Sequence, residues 1–345
     1  MATTLATARD AWAVLPVSAN PAFWQVLSRT GNSPAWKLVT PPGVAINGGL
    51  VAAAGAAGSL TVAVRPSQNL RFSPLAATAN GGASWSTGGP IQAAVAPSPD
   101  AFAASGSRLV ALLADGTVET SSNAGTTWSA IAKPGAIAAS AAARGCGGAV
   151  RVTSVSFGIS GSAVLAGGTC GTGGTGAVFS YSSSPGSSSA GWQRVSLPVS
   201  GQLVRLSGGM ALVRGKSGLS AVWPASGASG WTASGPLPLP ASPQGGISAS
   251  GTLAGGGAWV LLPGGRAATV SVTGTSGAPA RGTPQWLLLP PVPAHTTVLA
   301  SGPGGDTDAL AVTGDTLAVW RLAPGATVWS EVQTISVPVQ VGSSS

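Results

Sequence analysis

Side chains that could carry acid–base or nucleophilic chemistry are few in this chain. Its 345 residues include eight carboxylates, one histidine, one tyrosine and two cysteines. Glycoside hydrolysis needs two carboxylates that flank one bond, and Asp115 and Asp315 are the candidates for that chemistry by topology. Each lies in a glycine-containing hairpin, where Asp is also a good turn former. The eight carboxylates are Asp10, Asp100, Asp115, Glu119, Asp306, Asp308, Asp315 and Glu331.

The other reactive groups lack partners in the sequence. His295 has no evident nucleophile and orienting acid beside it, so we interpret it as a loop residue. Tyr181 falls in a predicted strand just before a turn, where packing explains it. Glycine-rich stretches such as 167–176 lack the Lys-Ser/Thr ending of a phosphate-binding loop, and two cysteines with one histidine make a zinc site implausible. The sequence therefore predicts no catalytic residues, no metal and no cofactor.

Cys146 and Cys170 are predicted to form a disulfide. The segments Val150–Phe157 and Ser162–Gly167 between them read as a hairpin, which places both cysteines at its open end. Closing a loop of about 25 residues would contribute roughly 3–4 kcal/mol in the chain-entropy model. Two buried free thiols are the alternative. A disulfide would indicate an oxidising, extracytoplasmic compartment.

Composition favours an all-β chain with many tight turns. There are 52 glycines and 27 prolines, while only 7% of the residues are charged. Inside a helix, glycine costs about 1 kcal/mol and proline about 3 kcal/mol relative to alanine. Residues of this kind punctuate short strands instead.

Two segments share a strict pattern. Residues 78–85 and 121–128 both read [S/T]-x-N-x-G-x-[S/T]-W. In such a turn the Asn side chain bonds the backbone, Gly adopts positive φ and Trp packs under the sheet. The residues given these roles are Asn80, Gly82 and Trp85 in the first copy, and Asn123, Gly125 and Trp128 in the second.

Five looser copies complete a repeat. They end at Trp36, Trp192, Trp231, Trp286 and Trp329. The tryptophan-ended turns recur about every 49 residues, and a four-stranded propeller blade takes about 40–50. Seven such repeats account for the whole chain.

The strict pattern resembles the Asp box of sialidase-type β-propellers, with Asn in place of Asp in both copies. The segment 11–15, Ala-Trp-Ala-Val-Leu, resembles the second strand of photosystem II assembly-type propellers. The resemblance implies an all-β, seven-bladed β-propeller of four-stranded antiparallel blades; a six-bladed ring with an insertion and a β-helix are the alternatives. It would also imply a sialidase Arg triad, a Tyr–Glu pair and an Asp acid/base, which the residues above do not supply. The expected blades of this single domain are 1–41, 42–90, 91–134, 135–198, 199–240, 241–293 and 294–341.

Blade topology assigns the candidate binding residues to one face. If the tryptophan-ended turns between third and fourth strands mark the lower face, then second-to-third turns and blade-to-blade connections form the upper face. The upper-face candidates are Arg65, Asp115, Arg144, Arg214, Lys216, Arg266, His295 and Asp315. This mostly basic set suits an acidic glycan or an acidic protein surface; dispersed, solvated arginines are the alternative.

The sequence thus predicts a non-catalytic extracytoplasmic binding or scaffold propeller that recognises a protein or an anionic envelope polymer through its upper face. A sialidase-like glycoside hydrolase and a purely structural spacer are the alternatives. Net charge is +8, but the basic residues are scattered singly, which argues against nucleic acid. No apolar run is long enough to span a membrane. We expect a bacterial protein that is a monomer, with membrane anchoring only through a missing upstream segment, because Met1 lies almost at the first strand.

Overall fold

Seven four-stranded antiparallel sheets make up the computed structural model. The inner strands of successive sheets contact one another, and the first contacts the last, so the sheets form a closed ring. The predicted seven-bladed β-propeller is confirmed, and the six-bladed and β-helix alternatives are wrong. The structure describes residues 3–6, 10–17, 23–31, 33–41, 49–64, 72–147, 149–182, 191–225, 230–240, 246–254, 256–271 and 283–337.

Each blade is built from four consecutive strands. Blade 1 contains β1 (Thr3–Ala6), β2 (Ala11–Val17), β3 (Phe23–Arg29) and β4 (Lys37–Leu38). Blade 2 contains β5 (Leu50–Ala54), β6 (Leu60–Val64), β7 (Ser73–Thr78) and β8 (Ser86–Ile91). Blade 3 contains β9 (Phe102–Ser105), β10 (Arg108–Leu112), β11 (Val118–Ser121) and β12 (Ser129–Ala132).

The remaining four blades follow the same order. Blade 4 contains β13 (Val150–Phe157), β14 (Val164–Cys170), β15 (Thr175–Ser182) and β16 (Gly191–Arg194). Blade 5 contains β17 (Gln202–Ser207), β18 (Met210–Gly215), β19 (Gly218–Pro224) and β20 (Trp231–Ala233). Blade 6 contains β21 (Ala249–Leu253), β22 (Gly257–Leu262), β23 (Arg266–Ser271) and β24 (Leu287–Leu288). Blade 7 contains β25 (Thr296–Ser301), β26 (Thr307–Thr313), β27 (Thr316–Leu322) and β28 (Ser330–Ser336).

The core lies between neighbouring blades. Second strands are apolar on both sides because a sheet lies against each of their faces. In β22, for example, Trp259 and Leu261 face the cluster shared with blades 7 and 1, while Val260 packs toward blade 5. This burial explains why the second strands read as continuous runs of Ala, Val, Leu and Trp.

The two strictly matching turns have the same hydrogen bonds. The Oδ1 atom of Asn80 accepts from the backbone N–H of Ser84, and that of Asn123 accepts from Thr127, at 3.0 and 2.9 Å. Gly82 and Gly125 have φ of 89° and 87°, a region that favours glycine. Asn keeps the acceptor that Asp would supply, and its Nδ2 adds a donor to the hydroxyl four residues later.

Tryptophans stand at the start of the fourth strand in all seven blades. They pin this outermost strand to the blade or to its neighbour. Trp85 donates its indole N–H to the carbonyl of Val39 in the preceding blade, and Trp192 packs on Tyr181 with ring centroids 5.3 Å apart. Trp329 donates to the carbonyl of Pro290. In four blades the indole N–H bonds a neighbouring blade, so the repeat found in the sequence also supplies blade-to-blade anchors, at Trp36, Trp85, Trp192 and Trp329.

One connection departs from the repeat. Between blades 3 and 4 lie helix α1 (Ala136–Ala139) and a 3-10 turn, 141–143. Cys146, just after them, is bonded to Cys170 at the end of β14, with the two Cα atoms 4.8 Å apart. The predicted disulfide is confirmed, and it ties this connection to the second strand of blade 4. No helix in the described part of the chain has the length and apolar character needed to cross a membrane.

Candidate functional sites on the two faces

The upper face has the position predicted for it. Second-to-third turns and blade-to-blade connections lie on one side of the ring, and first-to-second and third-to-fourth turns lie on the other. Arg65 falls outside the described residues. The other seven candidates lie on the upper face, and all but the half-buried Arg214 are exposed.

These candidates are spread around the ring. Asp115 is in blade 3, Arg214 and Lys216 are in blade 5, Arg266 is in blade 6, and Asp315 is in blade 7. Arg144 and His295 lie in connections, the latter with a positive φ of 62°. They form a basic rim without converging on one point.

Charge differs sharply between the two faces. On the described upper face, three acidic residues stand beside seven basic residues that form no ion pair. The basic residues are Lys133, Arg144, Arg151, Arg194, Arg214, Lys216 and Arg266; the acidic ones are Asp115, Glu119 and Asp315. The described lower face carries four of each sign. The basic residues there are Arg29, Lys37, Arg108 and Arg321; the acidic ones are Asp10, Asp306, Asp308 and Glu331.

Three cavities of the described structure open on the upper face, including one of about 280 Å³ lined by Arg194. One of about 450 Å³ lies between the Asp115 turn, α1 and the start of β13, and is lined by Lys133 and Arg151. Burial and the nearby Asp115 raise the pKa of Glu119, the next carboxylate along this blade. A smaller cavity of about 260 Å³ reaches toward the central channel and is lined by Arg214.

A buried ion pair crosses the channel below the smaller cavity; we call it the channel pair. The Nη2 atom of Arg205 in β17 lies 2.8 Å from Oδ1 of Asp100. Arg205 also donates to the hydroxyl of Thr3 in blade 1 and to the carbonyl of Ser250 in blade 6. Its Nε has no hydrogen-bond partner in the described structure. Burial raises the pKa of Asp100, and the charge of Arg205 opposes that shift.

A second buried network joins blade 7 to blade 1; we call it the seam network. Asp308 in β26 is completely buried. It accepts from Nε and Nη2 of Arg321, at 2.7 and 3.1 Å, and from the indole N–H of Trp36 at 2.9 Å. The Nε of Arg29 lies 3.9 Å from the same carboxylate.

Burial and pairing shift the seam arginines in opposite directions. Burial lowers the pKa of Arg29, and Asp308 opposes that shift. The hydrogen bond to Asp308 raises the pKa of Arg321. Asp10 adds to the junction by accepting from the backbone N–H groups of Gly31 and Gly58.

A cavity of about 970 Å³ lies on the lower face beside the seam network. Its lining includes Asp10, Arg29 and Asp306 together with Leu287 and Leu288 of β24. A cavity of about 510 Å³ occupies the lower mouth of the channel and has no charged lining residue among those described. The described residues contain no group of three or more His, Cys, Asp or Glu that could hold a metal ion.

Sequence reasoning did not find either buried network. Asp100 and Asp308 were counted as carboxylates, but their arginine partners were not identified. A signal was present: Arg29, Arg205 and Arg321 occur inside strands of a chain in which only 7% of residues are charged. A charge within a buried strand needs a partner.

Comparisons with known proteins give the fold and no family. No family model and no curated protein matches the chain. YCF48 from Cyanidioschyzon merolae is 15% identical with a TM-score of 0.50, over 93% of this chain and 94% of that one. A protein from Lactobacillus plantarum is 11% identical with a TM-score of 0.56, over 96% and 97% of the two chains.

An enzyme has a similar fold as well. The GH74 xyloglucanase from Xanthomonas campestris is 16% identical with a TM-score of 0.52, over 95% of this chain and 53% of that one. Identities this low show that the fold is shared and say nothing about activity.

Proposed function

We propose that the chain is a non-catalytic, extracytoplasmic binding or scaffold propeller whose upper face recognises an anionic partner, either an acidic protein surface or an anionic envelope polymer. The observation that carries the proposal is the charge asymmetry: seven basic side chains without an ion pair on the described upper face against three acidic ones. Clustering one sign of charge on one face steers an oppositely charged partner to that face.

The state of the buried carboxylates supports a non-catalytic role. Asp100 is paired with Arg205, Asp308 with Arg321, and Asp10 with two backbone amides. A hydrolytic acid–base pair needs two carboxylates that can reach one substrate bond, and these are held by groups of the protein instead.

The disulfide supports a location outside the cytoplasm. Structural disulfides persist in oxidising compartments and are rare in the cytosol. Cys146 and Cys170 are both buried, as expected of a structural bridge. The matching bonds of the two strict turns favour kinship with Asp-box propellers, in which Asn has replaced Asp.

A charge-reversal experiment tests the upper face. Lys216→Glu, Arg144→Glu and Arg266→Glu change exposed residues that form no ion pair with any residue the structure describes. Retention on poly-L-glutamate and polygalacturonate columns should fall with each substitution and vanish in the triple variant, at an unchanged melting temperature. The matched control is Lys37→Glu, an exposed lysine of the lower face. Equal loss of retention in Lys37→Glu and Lys216→Glu would contradict the proposal.

Glycoside hydrolysis is the competing function, favoured by one observation. Glu119 has a raised pKa beside Asp115, which borders the 450 Å³ cavity, and raised carboxyl pKa values are typical of general acids. Turnover of fluorogenic sialosides or β-glucans that disappears in Asp115→Asn would replace our proposal with this one.

A further inference from the structure

The lower face carries a second feature, separate from the basic rim. The 970 Å³ cavity runs between the outer strand of blade 6 and the lower turns of blade 7, and blade 1 supplies its floor. We call it the lower-face groove. One wall is β24, the other is the segment Pro303–Thr307 with the turn 322–327, and the floor contains Asp10 and Arg29. Its volume is in the range of ligand sites, about 300–1,000 Å³.

Exposed apolar side chains concentrate beside this groove. Seven large hydrophobic residues are exposed in the described structure, and four of them lie on the outer edges of blades 6 and 7. Leu287 and Leu288 are 65% and 56% exposed and line the groove; Val328 and Val332 lie on the adjoining edge of blade 7. The bond from Trp329 to Pro290 holds these two edges together. A grouping of this kind marks an interaction site more often than isolated apolar residues do.

The wall formed by β24 is also a sheet edge. Among the described strands, β24 pairs with β23 alone, through Leu287 with Thr269 and Leu288 with Ala268. Its other side carries no strand there. An extended peptide can add to such an edge through main-chain hydrogen bonds while its side chains enter pockets alongside.

The charged residues that line the lower-face groove indicate which kind of ligand it would bind. The groove is lined by two carboxylates, Asp10 and Asp306, and one guanidinium, Arg29, in a chain whose net charge is +8. Asp10 already accepts two backbone N–H groups. Asp306 is 20% exposed and lies 3.6 Å from Nε of Arg321, so its contact is an ion pair without a hydrogen bond. Asp306 is therefore the carboxylate that an incoming cation can reach.

We propose that the lower-face groove binds an extended apolar segment of a partner protein that carries a basic side chain. The apolar residues lie on Leu287 and Leu288, the main chain follows the free edge of β24, and the basic side chain meets Asp306. This site is independent of the upper face and takes a ligand of opposite charge. A propeller with both sites holds two different partners on opposite sides of one ring.

The test uses a phage-displayed library of random linear dodecapeptides selected against the full chain. Enriched peptides, synthesised with a fluorophore, are then measured by fluorescence polarisation. Selected sequences should contain apolar residues with Arg or Lys. Affinity should fall by roughly 10–100-fold in Leu287→Ser/Leu288→Ser, the range expected when two leucine contacts are lost. In Asp306→Asn it should fall by roughly 2–5-fold, because a rim ion pair is worth little, and salt dependence should be lost.

Two controls distinguish specific binding in the lower-face groove from nonspecific binding to the protein surface. Ile159→Ser removes an apolar side chain of similar exposure, 59%, at the channel mouth, and it should leave affinity unchanged. The triple upper-face reversal should also leave it unchanged, so that failure here and failure of the upper-face proposal are distinguishable. Enrichment of acidic peptides, no enrichment, or affinity insensitive to the leucine pair would overturn the proposal. Dimerisation abolished by the leucine variant would assign the groove to a second copy instead and overturn it equally.

Discussion

Two buried arginine–aspartate networks occupy this ring, and they differ in how many hydrogen bonds the buried carboxylate accepts. In the seam network, Asp308 accepts three hydrogen bonds, from Arg321 and Trp36, and has Arg29 beside it. In the channel pair, Asp100 accepts from Arg205 and from the backbone N–H of Leu206. Each network leaves one buried Nε without a hydrogen-bond partner in the described structure, that of Arg205 in the channel pair and that of Arg29 in the seam network.

This difference indicates how much each network contributes to the stability of the fold. A buried ion pair adds stability only when further hydrogen bonds compensate its desolvation. The seam carboxylate, with three hydrogen bonds, comes closer to this condition and lies where the first and last blades join, so we expect it to hold the ring closed. The channel carboxylate accepts fewer hydrogen bonds, so we expect the channel pair to contribute little net stability.

The largest effect should come from removing the seam carboxylate. Asp308→Ala leaves Arg29 and Arg321 without their shared counter-charge, which should cost about 3–5 kcal/mol of unfolding free energy. Chemical denaturation followed by circular dichroism measures the loss. Asp315→Ala, an exposed carboxylate in the same blade, should change stability by less than about 0.5 kcal/mol. Similar losses in both variants would show that the seam has no special role.

A smaller effect should follow from removing one donor to Asp308. Trp36→Phe keeps an aromatic ring but deletes the indole N–H that bonds the carboxylate. We expect a loss of about 1–3 kcal/mol, combining the unmade hydrogen bond with reduced packing. Trp231→Phe, a half-buried tryptophan at the equivalent strand start of blade 5, is the control and should lose less.

Replacing the channel pair by apolar residues should have almost no effect on stability. Asp100→Leu with Arg205→Met removes both charges together, and such exchanges are often neutral or stabilising. The unfolding free energy should stay within about 1 kcal/mol of the parent or rise. The matching exchange at the seam, Asp308→Leu with Arg321→Met, should destabilise because Arg29 loses its counter-charge and Trp36 loses its acceptor. Equal losses of unfolding free energy in the two double variants would show that the channel pair and the seam network contribute equally to stability.

The smallest predicted effect is a pH dependence of the unfolding free energy that arises from the channel pair. Burial raises the pKa of Asp100, while an unfolded Asp titrates near 3.9. Between those two pKa values the folded state holds a proton that the unfolded state has released. This contribution to stability is fully present below the unfolded pKa and is lost as pH rises through the raised pKa.

Asp100→Asn removes this dependence. The stability of the parent relative to Asp100→Asn should therefore increase as pH falls from neutral toward 4, as measured by denaturant titration at each pH. A relative stability that decreases over the same range would show that Arg205 dominates and lowers the pKa.

The sevenfold repeat could be predicted from the sequence because each blade depends on local sequence signals. The predicted strand Val150–Phe157, for example, has the same bounds as β13. Apolar runs, glycine hairpins and a tryptophan at each fourth strand can all be recognised within the sequence of one blade. The disulfide was predictable for the same reason, since it closes a single hairpin.

The two charged networks could not be predicted from the sequence because their contacts join residues that are far apart in the chain. Trp36 and Asp308 are 272 residues apart, and only ring closure brings them together. The groove beside them combines residues of blades 1, 6 and 7. In the sequence, the Leu287–Leu288 wall of this groove cannot be told from a buried strand. The structure shows that both side chains are exposed. The upper-face residues could be placed from topology, because strand order alone fixes the end of the sheet at which each turn lies.

The position of the disulfide has a mechanical consequence. Cys146 and Cys170 bracket the start of the middle blade, with three blades before it and three after it. A force applied to the two ends of the chain can unravel the outer blades from either side, but the covalent loop stays shut. Its 24 residues would otherwise extend by roughly 80 Å at about 3.5 Å per residue. A single-molecule pulling trace should lengthen by that amount once a reductant is added.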